Sequence, residues 1–513
     1  MISSQLKTLF ERLNAGISRE SGQADGPLVS VNRLTNRVGA LYEKLRYLID
    51  YKEEHTIRRG AIERILKRKL SIERTEVVGD ALLKELVSGG YLPNNQIPES
   101  HGANLQTIIK KYLIFKQNGL DASLALSFSA SEIEQFLYPQ NIAEFVVDSF
   151  YDTVAPHVIY QNNDESDTNT ITYIGCRRSL LSDDPATLLY AISKRYLPDL
   201  AKLTDDEAQI VAYAPKLLGT IKRAHMLAES SAGWRVAARL RNYAVYYAVI
   251  REIIDKYGRL AENIFEDNNK LEEQVRGILE EKYALQKKII SGSGNRAVLY
   301  ILLTKIILAL LLEWPYEKFF MGHLQLYALG TNVIFHPLLL LFMVKTVNQP
   351  DSSNTERVIT GIHSVIHADH IENMYVRPPI SGFLLFMVIC MYSVMFVLSF
   401  GIILTGLYYA QFNPVSILLF FFFLTLVSYF GLRIRHNARR WTVVHESDKM
   451  VGLLWNLFTL PIIRAGRWLS KKFSSVNVFV LMLDFLVEAP FKVFLSILDA
   501  FMSFLKEQRV DPY

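Results

Sequence analysis

Four long apolar stretches in the second half of the sequence constrain the fold of this 513-residue chain more than any other feature. They cover residues 297–312, 319–344, 380–409 and 414–432. A helix needs about 20 apolar residues to cross a bilayer, and helices satisfy their own backbone hydrogen bonds there. The sequence therefore predicts an α-helical transmembrane bundle of about four spans.

Basic residues that flank the four stretches predict how they cross the membrane. The opposite flank carries only Lys318, with Glu313 and Glu317, and the uncharged turn at 410–413. Because cytoplasmic flanks are enriched in lysine and arginine, both termini are expected in the cytoplasm of a multi-pass cell membrane protein. The predicted cytoplasmic flank carries Lys287, Lys288, Arg296, Lys345, Arg357, Arg377, Arg433, Arg435, Arg439 and Arg440.

The sequence of residues 1–234 predicts a cytoplasmic helical domain. Together with the helical spans, this predicts that the whole chain is all-α. The first 20 residues lack the apolar core of a secretory signal, and we find no alternating strand series or βαβ rhythm. The segment 182–185, with two aspartates before a proline, is typical of a helix start. The two cysteines lie far apart, which excludes a disulfide framework.

No nucleotide-binding or hydrolase motif occurs in the sequence, so we predict neither catalytic residues nor a cofactor. A net charge of +5 also excludes a polycationic nucleic-acid binder. The basic run Arg58–Lys69 could contact nucleic acid or anionic lipid, but Glu53, Glu54 and Glu63 are available to it as partners. We favour a solvated helix face for this run and regard nucleic acid as a disfavoured partner.

A heptad pattern runs through residues 236–285 and predicts one long helix over 235–290, ahead of a flexible joint at 291–295. Its apolar seam has two polar members, Asn268 and Lys282. The same spacing is typical of an intermolecular coiled coil, which would make a homo-oligomer, and of a helix packed inside a bundle. Periodicity alone leaves both alternatives open.

Lys305 is the least expected residue in the apolar stretches, because an ammonium near the middle of a span is costly. The second stretch carries Asn332 and His336 at comparable depth. We predict that the three side chains form an intramembrane polar cluster. Such a cluster is typical of an ion or proton path, and the alternative is an interhelical hydrogen bond that fixes packing.

Three histidines, His363, His367 and His370, lie between the second and third apolar stretches. On a helix they would share one face, which a metal site requires. The sequence lacks the glutamate of the H-E-x-x-H motif, so a polar helix face is the competing interpretation.

The region 433–513 is predicted to be basic, amphipathic and membrane-associated. Residues 476–505 place a polar stripe on an otherwise apolar helix, which could lie on the membrane or cross it. The bilayer is one predicted partner, because basic residues on this side favour anionic headgroups. The predicted headgroup contacts are Arg433, Arg435, Arg439, Arg440, Arg464, Arg467, Lys471 and Lys472.

Two stretches, RRGAIERILKRKL at Arg58–Leu70 and LPIIRAGRWLSKKFSSVNVFVLMLDFLVEAPFK at Leu460–Lys492, resemble uncharacterised multi-span membrane proteins of small-genome bacteria in the candidate phyla. The segment NVIFHP at Asn332–Pro337 adds to this resemblance. The resemblance implies a bacterial inner-membrane protein, and it supplies no site residues because these motifs have no known chemistry.

The sequence supports two functional hypotheses. The first is a non-enzymatic, membrane-anchored scaffold whose cytoplasmic domain binds itself or an unidentified protein. The second is a small channel or transporter that uses the cluster around Lys305.

Overall fold

The computed structural model describes residues 3–20, 26–31, 54–72, 78–138, 142–160, 165–322, 325–347, 350–367, 371–376, 380, 382–443 and 450–475. Helices dominate these residues, and the two strands described are each three residues long. The all-α prediction is therefore confirmed for the part of the chain that is described. The chain folds into two compact units, and the first boundary between them follows Glu266.

The first unit, called the N-terminal unit, contains the described residues of 1–266 and 362–378. Its two strands, β1 Val158–Tyr160 and β2 Met374–Val376, pair in parallel. Its helices are α1 Ser4–Glu20, α2 Glu54–Ile72, α3 Val78–Ser88, α4 His101–Gln117, α5 Ala122–Leu137, α6 Ile142–Val154, α7 Glu165–Leu180, α8 Pro185–Tyr196, α9 Glu207–Glu229, α10 Ser231–Arg239, α11 Arg241–Tyr257 and α12 Ala261–Glu266.

Aspartate caps fix several helix starts in the N-terminal unit. Asp184 accepts a hydrogen bond from Thr187 N, and Pro185 occupies the first helical position of α8, as segment 182–185 predicts. Asp121 and Asp206 cap α5 and α9 in the same way. Each cap satisfies backbone N–H groups that a helix leaves without an internal partner.

Two ion clusters lie inside the N-terminal unit. The Arg177 guanidinium, 1% exposed, donates to both carboxylate oxygens of Glu144 and to Asp183. Lys111, also 1% exposed, pairs with Glu132 and donates to the carbonyl of Leu200. Because each buried cation has a carboxylate partner, the cost of removing its charge from water is offset.

The basic run of α2 is largely engaged within the chain. Arg58 lies 3.0 Å from Glu134, and its guanidinium stacks 4.2 Å from the Tyr138 ring. Arg59 pairs with Asp184 at 2.6 Å and with Glu63 at 2.7 Å. These contacts support the interpretation of the run as a helix face with acidic partners.

The heptad seam does not form the continuous helix that we predicted over 235–290. α10, α11 and α12 divide its first half: α10 ends before Leu240, and α11 ends before Gly258, which adopts a positive φ of 53°. A new helix starts directly after Asp267, which caps the backbone N–H groups of Asn269 and Lys270. Most apolar seam residues are buried within this single chain, Tyr247 and Val275 completely, which favours the internal alternative.

The second unit, called the span unit, contains the described residues of 267–361 and 379–475. The four helices long and apolar enough to cross a membrane are α13 Asn268–Met321, α14 Leu326–Lys345, α16 Gly382–Tyr409 and the Pro414–His436 part of α17. α17 itself is Pro414–Ala438, and α18 is Met450–Ser475. The helix α15 Ser352–His367 crosses the boundary between the units.

The first span differs from the prediction at both ends. Residues 291–295 are helical, and Gly294 packs on α14 so closely that a Cβ there would lie 2.5 Å from Val344. The turn expected at 313–318 lies at Gly322 instead, where φ is +74°. Glu313 and Glu317 therefore belong to α13 and not to a loop.

Helices α13, α14 and α17 pack against one another, and α18 packs against α16 and α17. Gly466 of α18 touches the backbone of α17, because a Cβ there would lie 1.9 Å from the carbonyl oxygen of Thr425. Large apolar side chains of α16 are mostly exposed, Phe383 to 75%, as lipid-facing residues would be.

Seven of the eight predicted headgroup residues have exposed side chains: Arg433, Arg435, Arg439, Arg440, Arg464, Arg467 and Lys472. The Lys471 side chain lies outside the described residues, as does the amphipathic segment 476–505. Contact of these residues with lipid stays a prediction.

Candidate functional site in the span unit

The predicted cluster forms where α13, α14 and α17 meet. Lys305 of α13 is 1% exposed, and Asn332 and His336 of α14 are fully buried. The Lys305 ammonium donates to Asn332 Oδ1 at 2.6 Å and lies 4.3 Å from the centre of the Phe423 ring. A hydrogen bond and a cation–π contact thus stabilise the buried charge.

Glu313 extends the cluster by two helical turns. Asn332 Nδ2 donates to its Oε1 at 2.7 Å, and Ser416 Oγ donates to its Oε2 at 2.9 Å. Asn332 therefore bridges a lysine and a glutamate that belong to the same helix. Glu313 is 1% exposed and Ser416 is fully buried, so three helices enclose the bridge.

Glu317 stands one turn further along α13 and is fully buried. Its Oε1 accepts from Asn413 Nδ2 at 2.8 Å, and its Oε2 accepts from the backbone N–H of Gln325 at 2.9 Å. Both donors are uncharged. The carboxylate joins the end of α13 to the start of α14 and to the turn before α17.

These side chains form a line, which we call the polar ladder: Lys305, Asn332, Glu313, Ser416, Asn413 and Glu317. Twelve residues separate its two ends on α13, a rise of about 18 Å. This rise is more than half of the thickness of a hydrocarbon core, which is about 30 Å.

His336 lies beside the ladder, and among the described residues the hydrogen-bond contacts of its ring nitrogens are to backbone carbonyl oxygens. Its Nδ1 is 3.2 Å from the carbonyl oxygen of Asn332, and its Nε2 is 3.0 Å from that of Phe420. The Phe420 contact lets the ring join α14 to α17. The structure thus brings all three predicted cluster residues together, with His336 as a side branch.

An apolar cluster closes the Lys305 end of the ladder. Ile301, Leu340, Val344, Phe423 and Val427 pack together there, with Ala297 and Val298 against them. The opposite end lies at the turns that connect α13 to α14 and α16 to α17, where Gln325 and Asn413 meet Glu317. The ladder is therefore polar toward one end of the helix bundle and ends against apolar side chains toward the other.

Two π-helical turns, Ala309–Glu313 and Glu317–Met321, interrupt α13 along the ladder. Each π turn ends or begins at a ladder glutamate. π turns are rare and recur at functional sites, because the wider turn shifts a side chain from its regular position.

Sequence reasoning missed four ladder residues: Glu313, Glu317, Asn413 and Ser416. The sequence favours an outer loop for the two glutamates because they stand near a lysine and two aromatic residues. Their spacing from Lys305, eight and twelve residues along one helix, was the available signal. Asn413 and Ser416 follow an Asx pattern at a helix start, which gives no sign of a bridge to another helix.

The predicted histidine site is only partly described. His363 and His367 stack on α15 with ring centres 6.0 Å apart, and His370 lies outside the described residues. No group of three potential metal ligands occurs among the residues that the structure describes. A metal site that includes His370 stays a prediction.

Comparison with known proteins adds no assignment: no family model, curated protein or solved structure matches this chain.

Proposed function

We propose that this chain is a multi-pass inner-membrane protein whose span unit moves a small cation or protons along the polar ladder, as a channel or transporter. One observation carries the proposal. Three ionisable side chains of α13, Lys305, Glu313 and Glu317, are buried in line among apolar helices. An ionisable residue inside a membrane is by default a candidate for an ion or proton path.

The energetic cost of these residues supports this choice. Inserting a lysine or aspartate at the centre of a span costs about 2.5–3.5 kcal/mol of free energy. A simple membrane anchor could be built from apolar residues without this cost. Lys305 reaches Glu313 only through Asn332, and the donors to Glu317 are uncharged, so no direct ion pair among the described residues offsets these burials.

The one-sided arrangement is what a gated pathway requires. Polar side chains lead from the turn end of the bundle to Lys305, where the packed apolar side chains of Ile301, Leu340 and Phe423 would serve as the constriction. Hydrophobic constrictions gate ion pathways by excluding water. With both termini in the cytoplasm, as the flanking charges predict, the polar end would face away from the cytoplasm.

Lys305→Met tests this function directly. Methionine keeps the length of the side chain and removes its charge, so ion flux should fall to that of protein-free vesicles. The measurement is potential-driven flux of protons, Na⁺ and K⁺ into vesicles that contain the purified full-length protein. Thr304→Val is the matched control, since Thr304 donates to Tyr300 O of its own helix and should keep wild-type flux.

Flux in Lys305→Met that equals the wild-type flux, with correct insertion, would contradict the proposal. Wild-type protein that moves none of the three ions would contradict it as well.

A second candidate is the membrane-anchored scaffold without catalysis, and the large N-terminal unit favours it. That unit has its own buried core, built around residues such as Phe128, Phe150 and Tyr247. In this case the ladder would only fix helix packing, and the unit would bind an unidentified protein or a second copy through 236–285. Native mass spectrometry of the full chain would separate these cases, because a defined oligomer or co-purified protein is expected of a scaffold.

A further inference from the structure

A cavity of about 470 Å³ lies in the N-terminal unit, where the helices α6, α7 and α8 meet. Its volume is within the range of roughly 300–1,000 Å³ that is typical of small-molecule sites. Solvent reaches it, because Asn169 and Tyr196 of its lining are exposed. The lining includes Tyr151 of α6, Asn169, Thr170 and Tyr173 of α7, and Arg195 and Tyr196 of α8.

Two tyrosine rings hold the Arg195 guanidinium at this cavity. Its Cζ atom lies 4.3 Å from the centre of the Tyr151 ring and 4.5 Å from the centre of the Tyr173 ring. Tyr151 is 8% exposed and Tyr173 is 4% exposed, so surrounding residues fix both rings. Cation–π contacts position a guanidinium through its flat face, and most of its five N–H donors stay available.

Arg195 has no carboxylate at hydrogen-bond distance among the described residues. Its ion-pair partner Asp148 lies 3.7 Å away, and that carboxylate is closer to Arg12, at 3.2 Å. Arg177 shows the contrast: it contacts the same Tyr173 ring, but it donates hydrogen bonds to two carboxylates. Arg195 therefore keeps N–H donors for an acceptor that comes from outside the chain.

The charge of the lining restricts the charge of a ligand. Arg195 is the one charged side chain that lines the cavity among the described residues. Burial raises the pKa of Tyr151 and raises that of Tyr173 to about 12, so both hydroxyls stay neutral at pH 7. One guanidinium matches one negative charge, and the nearby Asp148 disfavours a dianion such as a phosphate monoester. A carboxylate fits, because its two oxygens can accept two parallel N–H bonds from a guanidinium.

The three tyrosine rings of the lining suit a ligand with a flat body. Thr170 Oγ1 and Tyr196 OH share a hydrogen bond, which joins α7 to α8 at the cavity and holds the Tyr196 ring there. Aromatic rings pair with other flat rings in offset or edge-to-face contacts. We propose that this cavity binds a small aromatic monocarboxylate, with Arg195 on its carboxylate group. The N-terminal unit is then a ligand-binding domain, a function separate from transport by the span unit.

Benzoate is the probe for this site, and benzamide is its neutral isostere. Saturation-transfer NMR on the full-length protein in mild detergent measures the binding of each. We expect benzoate to bind saturably with a Kd of about 1 mM, because so small a probe fills only part of the cavity. Benzamide should bind about 10-fold more weakly, because it cannot form the charged contact with Arg195. Benzyl phosphate should also bind more weakly than benzoate, because it is largely a dianion at pH 7.

Arg195→Met removes the guanidinium and should weaken benzoate binding about 10-fold. Lys194→Met is the matched control, because it removes the same charge from the adjacent position of α8. Lys194 donates to Gln135 Oε1 at 2.7 Å and does not line the cavity, so its loss should leave the affinity for benzoate unchanged. Circular dichroism shows that both variants keep their helices, and the comparison of ligands on the wild-type protein needs no variant.

Four results would overturn parts of this inference. Absence of benzoate binding up to about 10 mM, or equal binding of benzoate and benzamide, overturns the site. Tighter binding of benzyl phosphate overturns the choice of a monoanion. Equal losses of benzoate affinity in Arg195→Met and Lys194→Met overturn the role of Arg195. None of these results depends on ion flux, so each leaves the transport function of the span unit standing.

Discussion

Replacing Arg177 with methionine should destabilise the N-terminal unit by about 4 kcal/mol. The guanidinium is 1% exposed, and it is the shared partner of Glu144 and the fully buried Asp183 side chain. Methionine fills part of the space but removes the positive charge that Arg177 places beside Asp183. Removal of one member of a buried ion pair is strongly destabilising because the remaining charge stays out of water.

Labelling of the buried Cys176 thiol by a dye measures this loss of stability. Burial raises the pKa of Cys176 well above its usual range, so the folded thiol stays protonated and reacts slowly. In a Cys390→Ala background it is the single thiol of the chain. The temperature at which a thiol-reactive dye labels it should fall by roughly 8 °C or more in Arg177→Met.

Arg12→Met is the matched control for this measurement. Arg12 also pairs with an aspartate, Asp148 at 3.2 Å, but its side chain is 48% exposed. Its loss should cost less than about 1 kcal/mol. Equal shifts for Arg12→Met and Arg177→Met would contradict the assignment of Arg177 as a buried anchor.

Asn332→Leu should be the most damaging single change in the span unit. Leucine removes the acceptor of Lys305 and the Nδ2 donor of Glu313 together. We expect a loss of about 3 kcal/mol, the low end for a broken buried charge contact, because hydrogen bonds between spans are individually weak. Thermal unfolding of the full chain in mild detergent measures this loss.

A second substitution in the same chain checks the cause. In the double variant Lys305→Met/Asn332→Leu the ammonium that lost its acceptor is gone, so part of the stability should return. An additive or larger loss in the double variant would show that Asn332 stabilises the bundle by its shape and not through Lys305.

The helical spans were predictable because hydrophobicity and length determine them almost alone. The cluster of Lys305, Asn332 and His336 was predictable for a related reason: a polar residue inside an apolar helix must find a partner there. Glu313 and Glu317 were not recognised, since a carboxylate near the end of a span reads as a loop residue. Only the position of the turn at Gly322 reveals that both belong to the helix.

The heptad seam shows that periodicity predicts which face is buried but does not predict where a helix ends. Apolar residues spaced three and four apart identify the buried face of a helix. The same spacing can continue across a break between two helices when the residues on both sides of the break are buried. Gly258 ends one helix and Asp267 starts another, yet Ile254 and Leu271 on either side are both buried. The glycine and the aspartate are ordinary stop and start signals that the repeat obscured.

The measurement that tests the polar ladder most directly is a pH-difference infrared spectrum of the reconstituted full-length protein. A proton pathway predicts carboxyl C=O bands of the buried type that change with pH, one of which disappears in Glu313→Gln and another in Glu317→Gln. Unchanged bands in both variants would contradict it, since they would mean that these glutamates exchange no protons and serve only to lock the helices of a membrane anchor.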